Sequence, residues 1–140
     1  VPAVRFLFLE EISMAETAFV LIAHGAREAA WALPLIRVRD AVAARAPGLR
    51  VELAFMELMP PDLAECVEKL VAEGFVRILV VPLFIARGGH LIHDVPQQLD
   101  ELHRQHPGVT FELAPPVGEA EAVVQAMAGH VLDMAGRATE

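Results

Sequence analysis

The chain has 140 residues, 55% of them hydrophobic, and a formal net charge of -8 at pH 7. This size and composition fit one domain with a real core and exclude a disordered chain; the acidic balance and the lack of a basic stripe exclude nucleic acid as an expected partner. No apolar run approaches the roughly 20 residues of a spanning helix, so no membrane partner is expected, and a lone cysteine, Cys66, excludes an internal disulfide and a cysteine metal cluster.

These features together fit a reduced, cytoplasmic compartment. Near the N-terminus Val4 to Leu9 is apolar but short, and Glu10-Glu11 follow where a signal peptide would place small residues. Residues 1–13 are expected to be a leader or upstream remnant outside the domain, which then spans 14–140.

Residues 17–23 form a β-rich apolar run closed by His24-Gly25, a first buried strand. A helix follows over about 29–46, with Trp31, Leu35, Val38 and Val42 on its inner face and Pro34 near the first turn. Pro47-Gly48 stops it. A second strand spans 50–57, with Val51, Leu53 and Phe55 alternating with Glu52, Ala54 and Met56. Asp62 caps a second helix whose stripe is Leu63, Val67 and Leu70 and which ends at Gly74. The third strand, from Arg77 through Ile78-Leu79-Val80-Val81, is apolar without alternation, the signature of a central parallel strand covered on both faces. Gly88-Gly89 break the chain after it and deliver His90. Asp94 is expected to cap a third helix, with Pro96 in the first turn and Val95, Leu99 and Leu102 inward. A fourth strand covers 109–114, and a fourth helix about 120–138 with Val123, Met127, Val131 and Met134 inward. The alternation predicts a single α/β domain with a four-stranded, doubly wound, mainly parallel sheet, flavodoxin-like in order 2-1-3-4, with helices on both faces.

In such sheets ligands bind beyond the carboxyl ends of the strands. His24, Glu57 and His90 stand at or just past three such ends, 33 residues apart in each step. Two imidazoles and a carboxylate suit a borderline divalent ion such as Co2+, Fe2+, Ni2+ or Zn2+ and leave coordination positions open. Each residue alone has a plainer reading: His24 as a helix cap, Glu57 as a solvated carboxylate, His90 as a loop histidine. His93 is read as a fourth ligand or a rim residue, the rim reading being favoured, and His103, His106 and His130 as surface histidines. Other chemistries fit poorly. The only lysine, Lys69, lies mid-helix, which leaves no Walker A loop. No serine or cysteine ends a strand, and the arginine that histidine phosphatases place before their histidine is Ala23 here.

Three segments carry a resemblance. Leu21-Ile22-Ala23-His24-Gly25-Ala26-Arg27 resembles the AHGSR start of the class II tetrapyrrole chelatases. The stretch from Ala54 to Asp62 is similar to their AFLELxxPD segment. Val81-Pro82-Leu83-Phe84 with Gly88-Gly89-His90 and Asp94-Val95-Pro96 is similar to their VPLFLxxGxHxxxDiP segment. The chain resembles the short sirohydrochlorin cobaltochelatase (small CbiX) branch of that family, and Ala26 departs from its commoner serine. The resemblance implies ATP-independent insertion of Co2+ into sirohydrochlorin for cobalamin biosynthesis, with Fe2+ or Ni2+ in relatives. It implies His24 and His90 as metal ligands with Glu57 as acidic companion, no tightly bound cofactor, and a homodimer. Met56, Leu58, Met59, Leu83, Phe84 and Ile85 can wall a macrocycle pocket or belong to the core. Ala86 and Gly88-Gly89 would let the ring approach closely. Arg27 and Arg87 flank the site, either pairing with substrate carboxylates or lying solvated. A non-catalytic metal or tetrapyrrole carrier would use the same residues.

Overall fold

The computed structural model describes residues 4–6 and 16–138, with side chains for 16–88 and 93–137. The chain runs β1 (Val4–Phe6), β2 (Thr17–Ala23), a 3-10 turn (Ala29–Ala32), α1 (Leu33–Arg45), β3 (Arg50–Phe55), α2 (Leu63–Ala72), β4 (Arg77–Pro82), α3 (Gly89–Gln105), β5 (Thr110–Leu113), a second 3-10 turn (Val117–Glu119) and α4 (Glu121–Ala138). All pairings among the five strands are parallel, in the order β1-β5-β4-β2-β3. The four strands from β2 onward therefore keep the expected 2-1-3-4 order. The sheet also has a fifth strand: Val4–Phe6 pairs with Phe111 to Leu113 at the edge. Three residues of the stretch set aside as leader thus lie in the sheet, while 1–3 and 7–13 lie outside the described residues.

One sheet face carries the larger core. Val20, Ile22, Ile78, Val80 and Phe111 are buried against Leu63, Val67 and Leu70 of α2 and Val95, Leu99 and Leu102 of α3. Fully burying each such aliphatic side chain contributes about 1.5–3 kcal/mol. Asp62 starts α2 as expected, its carboxylate accepting from the Glu65 N–H at 2.8 Å. Cys66 lies in this core, and burial pushes its thiol up to about 11, so it stays protonated at neutral pH. At the amino end of the sheet Arg77 donates to Glu112, which is buried, at 2.9 Å from Nε. This pair closes the sheet end opposite the site.

The second face is thinner. Leu21, Ala23, Leu53 and Phe55 pack with Ala32, Leu35 and Ile36. The expected inner face of the first helix needs correction: Trp31 and Val38 are exposed, and α1 buries no residue fully. The 3-10 turn at Ala29–Ala32, with three residues per turn, takes Trp31 out of phase with the helix, and within α1 the half-buried positions are Leu35, Ile36, Arg39 and Val42, which leaves Val38 outward. Trp31 instead approaches the Phe55 ring, with centroids 6.4 Å apart. α4 also differs. Met127, Val131 and Met134 were expected inward but are exposed, together with Val124 and Leu132. The main neighbour of α4 is the Val117–Glu119 turn. A periodic apolar stripe tells that one face is apolar, not which surface covers it.

α3 begins at Gly89, with Gly88 as its N-cap, six residues before the expected cap at Asp94. Pro96 consequently lies inside the helix rather than in its first turn. The Val95, Leu99 and Leu102 stripe is buried as expected and holds the helix to the sheet through the proline.

Candidate active site

The site grows from hydrogen bonding that continues past the strand ends. The Met56 N–H donates to the Ala23 carbonyl at 2.8 Å, and the Glu57 N–H donates to the His24 carbonyl at 3.0 Å. On the other side of β2 the Leu83 N–H donates to the Ile22 carbonyl at 2.8 Å. His24 and Glu57 are therefore neighbours on one backbone ladder, as the spacing of the strand ends predicted. Both side chains are exposed at the carboxyl edge.

Gly25 makes this approach possible. Its φ is +99°, and a Cβ added there would stand 1.9 Å from the Glu57 carbonyl oxygen. Only glycine satisfies both the left-handed backbone and the missing space. The same carbonyl accepts from the Met59 N–H at 2.9 Å, closing a three-residue turn about Leu58, whose φ is +68°. A leucine in that region is sterically costly. The turn holds the Leu58 side chain outward, 57% exposed, beside Glu57.

Phe84 forms the third side. It is buried, and its ring centroid lies 4.5 Å from that of His24, tilted by 42°. This contact fixes one face of the imidazole. Ile85 follows, 66% exposed. Met56 and Met59 are half-buried against the two core clusters, and Leu83 packs with the second. Of the apolar residues considered for a pocket, Leu58 and Ile85 thus remain free to meet a ligand, while Phe84 serves the core and His24 together.

His90 is the second residue of α3, so the helix entry and not the preceding loop carries it. The side chains of 89–92 lie outside the described residues. Among the described residues no group of three His, Cys, Asp or Glu side chains could hold a metal ion. Arg27 is exposed near His24 in sequence. Arg87 is engaged: its Nε and Nη2 donate to the Glu119 carboxylate at 2.6 and 3.0 Å. Hydrogen bonding from Arg87 holds Glu119 below the usual carboxylate range, and the carboxylate raises Arg87 in return. Sequence reading missed Glu119, because nothing in its spacing links it to a loop 32 residues away. Gly118 beside it gave a faint signal. The Gly118 N–H donates to the Phe84 carbonyl at 2.9 Å, and a Cβ there would meet the Ile85 carbonyl oxygen at 1.8 Å.

A parallel α/β sheet with a histidine, a carboxylate and a glycine loop at its carboxyl edge defines a doubly wound ligand-binding domain whose site lies beyond the strand ends. The chain belongs to the CbiX family: the family model described as CbiX matches residues 18–133. It is 32% identical over 111 residues to a sirohydrochlorin cobaltochelatase of Sulfurisphaera tokodaii, covering 76% of this chain and 83% of that protein. Its fold is similar to a solved structure from Marinobacter aquaeolei VT8 named as a candidate cobalamin (vitamin B12) biosynthesis CbiX protein. That match has a TM-score of 0.80 and 31% identity, and covers 89% of this chain and 98% of the other. The sirohydrochlorin chelatase SirB of Bacillus subtilis subspecies spizizenii, solved in complex with cobalt, matches with a TM-score of 0.74 and 25% identity. There 84% of this chain covers 50% of the longer one.

Proposed function

We propose that this chain is a sirohydrochlorin cobaltochelatase, a lyase that inserts Co2+ into sirohydrochlorin without ATP in cobalamin biosynthesis. The observation that carries the reading is the hydrogen-bonded juxtaposition of His24 and Glu57 at the carboxyl edge of a CbiX-family sheet. The reaction takes the free-base macrocycle and a divalent ion and gives the metallated macrocycle and two protons. Two pyrrole N–H bonds break, and the ion exchanges its former ligands for bonds to the four ring nitrogens. Imidazole can ligate a borderline ion or accept a proton near neutral pH. His24 and His90 act in these roles, and Glu57 supplies negative charge that favours both the ion and the departing protons. Three ligands on an open edge hold the ion weakly enough to hand it to the ring nitrogens.

Leu58 and Ile85, exposed on two sides of the edge, present apolar surface to the macrocycle. Ala86 and Gly88 keep the intervening loop small, and Gly89 opens α3. Arg27 and Arg87 receive substrate carboxylates, offsetting a net charge of -8 that would otherwise repel a polyanionic ring. Cobalt is the preferred metal on the strength of the relatives' names. Fe2+ or Ni2+ at the same donor set is the alternative, since such a set is permissive. The protein acts in the cytoplasm as a homodimer. Support for the dimer comes from the exposed apolar face of α4, Met127, Val131 and Met134, and from the SirB chain, twice the length this chain covers. Two copies would rebuild that larger body.

The test is an insertion assay with purified protein, sirohydrochlorin and Co2+, Fe2+ or Ni2+ supplied separately. The reading predicts many turnovers per protein with Co2+, read as loss of the free-base spectrum. Stoichiometric metal binding with no released metallated ring would mean a carrier instead.

A further inference from the structure

The exposed edge of the sheet carries one feature that metal insertion itself does not use, the pairing of Arg87 with Glu119. The two residues sit on different loops that are docked backbone to backbone. The Gly118 N–H reaches the Phe84 carbonyl, and Gly118 abuts Ile85 too closely for any side chain. That docking places the Glu119 carboxylate on the Arg87 guanidinium through two nitrogens, Nε at 2.6 Å and Nη2 at 3.0 Å. This fork is the geometry in which a guanidinium receives a carboxylate. Both side chains remain accessible, at 48% and 39%. Exposed pairs of this kind hold weakly and exchange readily. Glu119 is ionised at neutral pH as carboxylates ordinarily are, and Arg87 lowers it further, so competition and not protonation would separate them.

We propose that Glu119 is a resident stand-in for a substrate carboxylate: it keeps the Arg87 fork oriented at the mouth of the site until a carboxylate side chain of the tetrapyrrole displaces it. Glu119 is a positioning residue and acts only through Arg87. The exchange replaces one carboxylate by another on Arg87 and releases the exposed Glu119 carboxylate to water. It also sets a threshold, since an anion must outcompete Glu119 to be held. The inference rests on the chelatase reading for the nature of the ligand.

The experiment measures equilibrium binding of metal-free sirohydrochlorin to the full chain and to Glu119→Gln, Arg87→Gln and the double variant. Thermal midpoints are recorded to establish that each is folded. Removing the competitor should tighten binding about two- to five-fold. Arg87→Gln should weaken it about three- to ten-fold. In the Arg87→Gln background the Glu119 substitution should have no effect. A purely structural role for the pair would make Glu119→Gln bind more weakly, and general charge repulsion would make it tighten binding equally with Arg87 absent. Either result overturns the proposal while leaving the chelatase reading intact. Failure of the wild-type chain to bind the macrocycle at all would overturn both.

Discussion

At the scale of single residues, the site depends on a contact that has no side chain in it. Gly25 lies against the Glu57 carbonyl with no room for a methyl group, at a φ that disfavours other residues. Gly25→Ala must push apart the two chain segments that bear His24 and Glu57. The expected cost is about 2–4 kcal/mol, which lowers the thermal midpoint by roughly 5–15 °C. Calorimetry on the purified variant checks it; an unchanged midpoint would mean that the approach of the two strand ends is looser than described. His24 and Glu57 were legible in sequence because ligand-type residues at successive strand ends are easily counted. The Gly25 contact was not, since a glycine that ends a strand looks the same whether it turns the chain or admits a neighbour.

At the scale of elements, helices differ in how far their patterns could be read. α2 matched expectation in cap, stripe and end because all three signals are local: Asp62 bonds within its own first turn, and Leu63, Val67 and Leu70 meet one continuous core. α3 did not, because its start depends on docking of the whole stripe, which carries the helix through Pro96. α4 presents the sharpest contrast. Its apolar residues have helical spacing yet lie exposed, so sequence gave the face without its partner. If a second copy covers that face, Met127→Glu with Val131→Glu should convert the dimer to a monomer. Neither side chain is in the core, so the thermal midpoint of the fold should change little. Sedimentation of wild type and variant over a micromolar concentration series decides it. A persistent dimer would remove α4 from the interface, and a monomeric wild type would remove the dimer.

For the whole molecule, the parallel order followed from counting alternating elements, and the right-handed crossover rule left few other topologies. The fifth strand could not be counted that way, since Val4–Phe6 is too short to announce itself and gains definition only by pairing with β5. What the architecture accomplishes is to bring residues that are 33 apart in sequence, His24 and Glu57, onto adjacent backbone positions at the open edge of the sheet. The central claim is that this edge inserts a metal ion and does not merely hold one. It is tested most directly by the initial rate of Co2+ insertion into sirohydrochlorin, measured side by side for the wild-type chain and His24→Ala. His24 is exposed, so its loss leaves no core cavity and the fold should persist, as circular dichroism would verify. The account predicts multiple turnovers for the wild type and a loss of about 100-fold or more in the variant. A folded His24→Ala protein that inserts cobalt at the wild-type rate would contradict it.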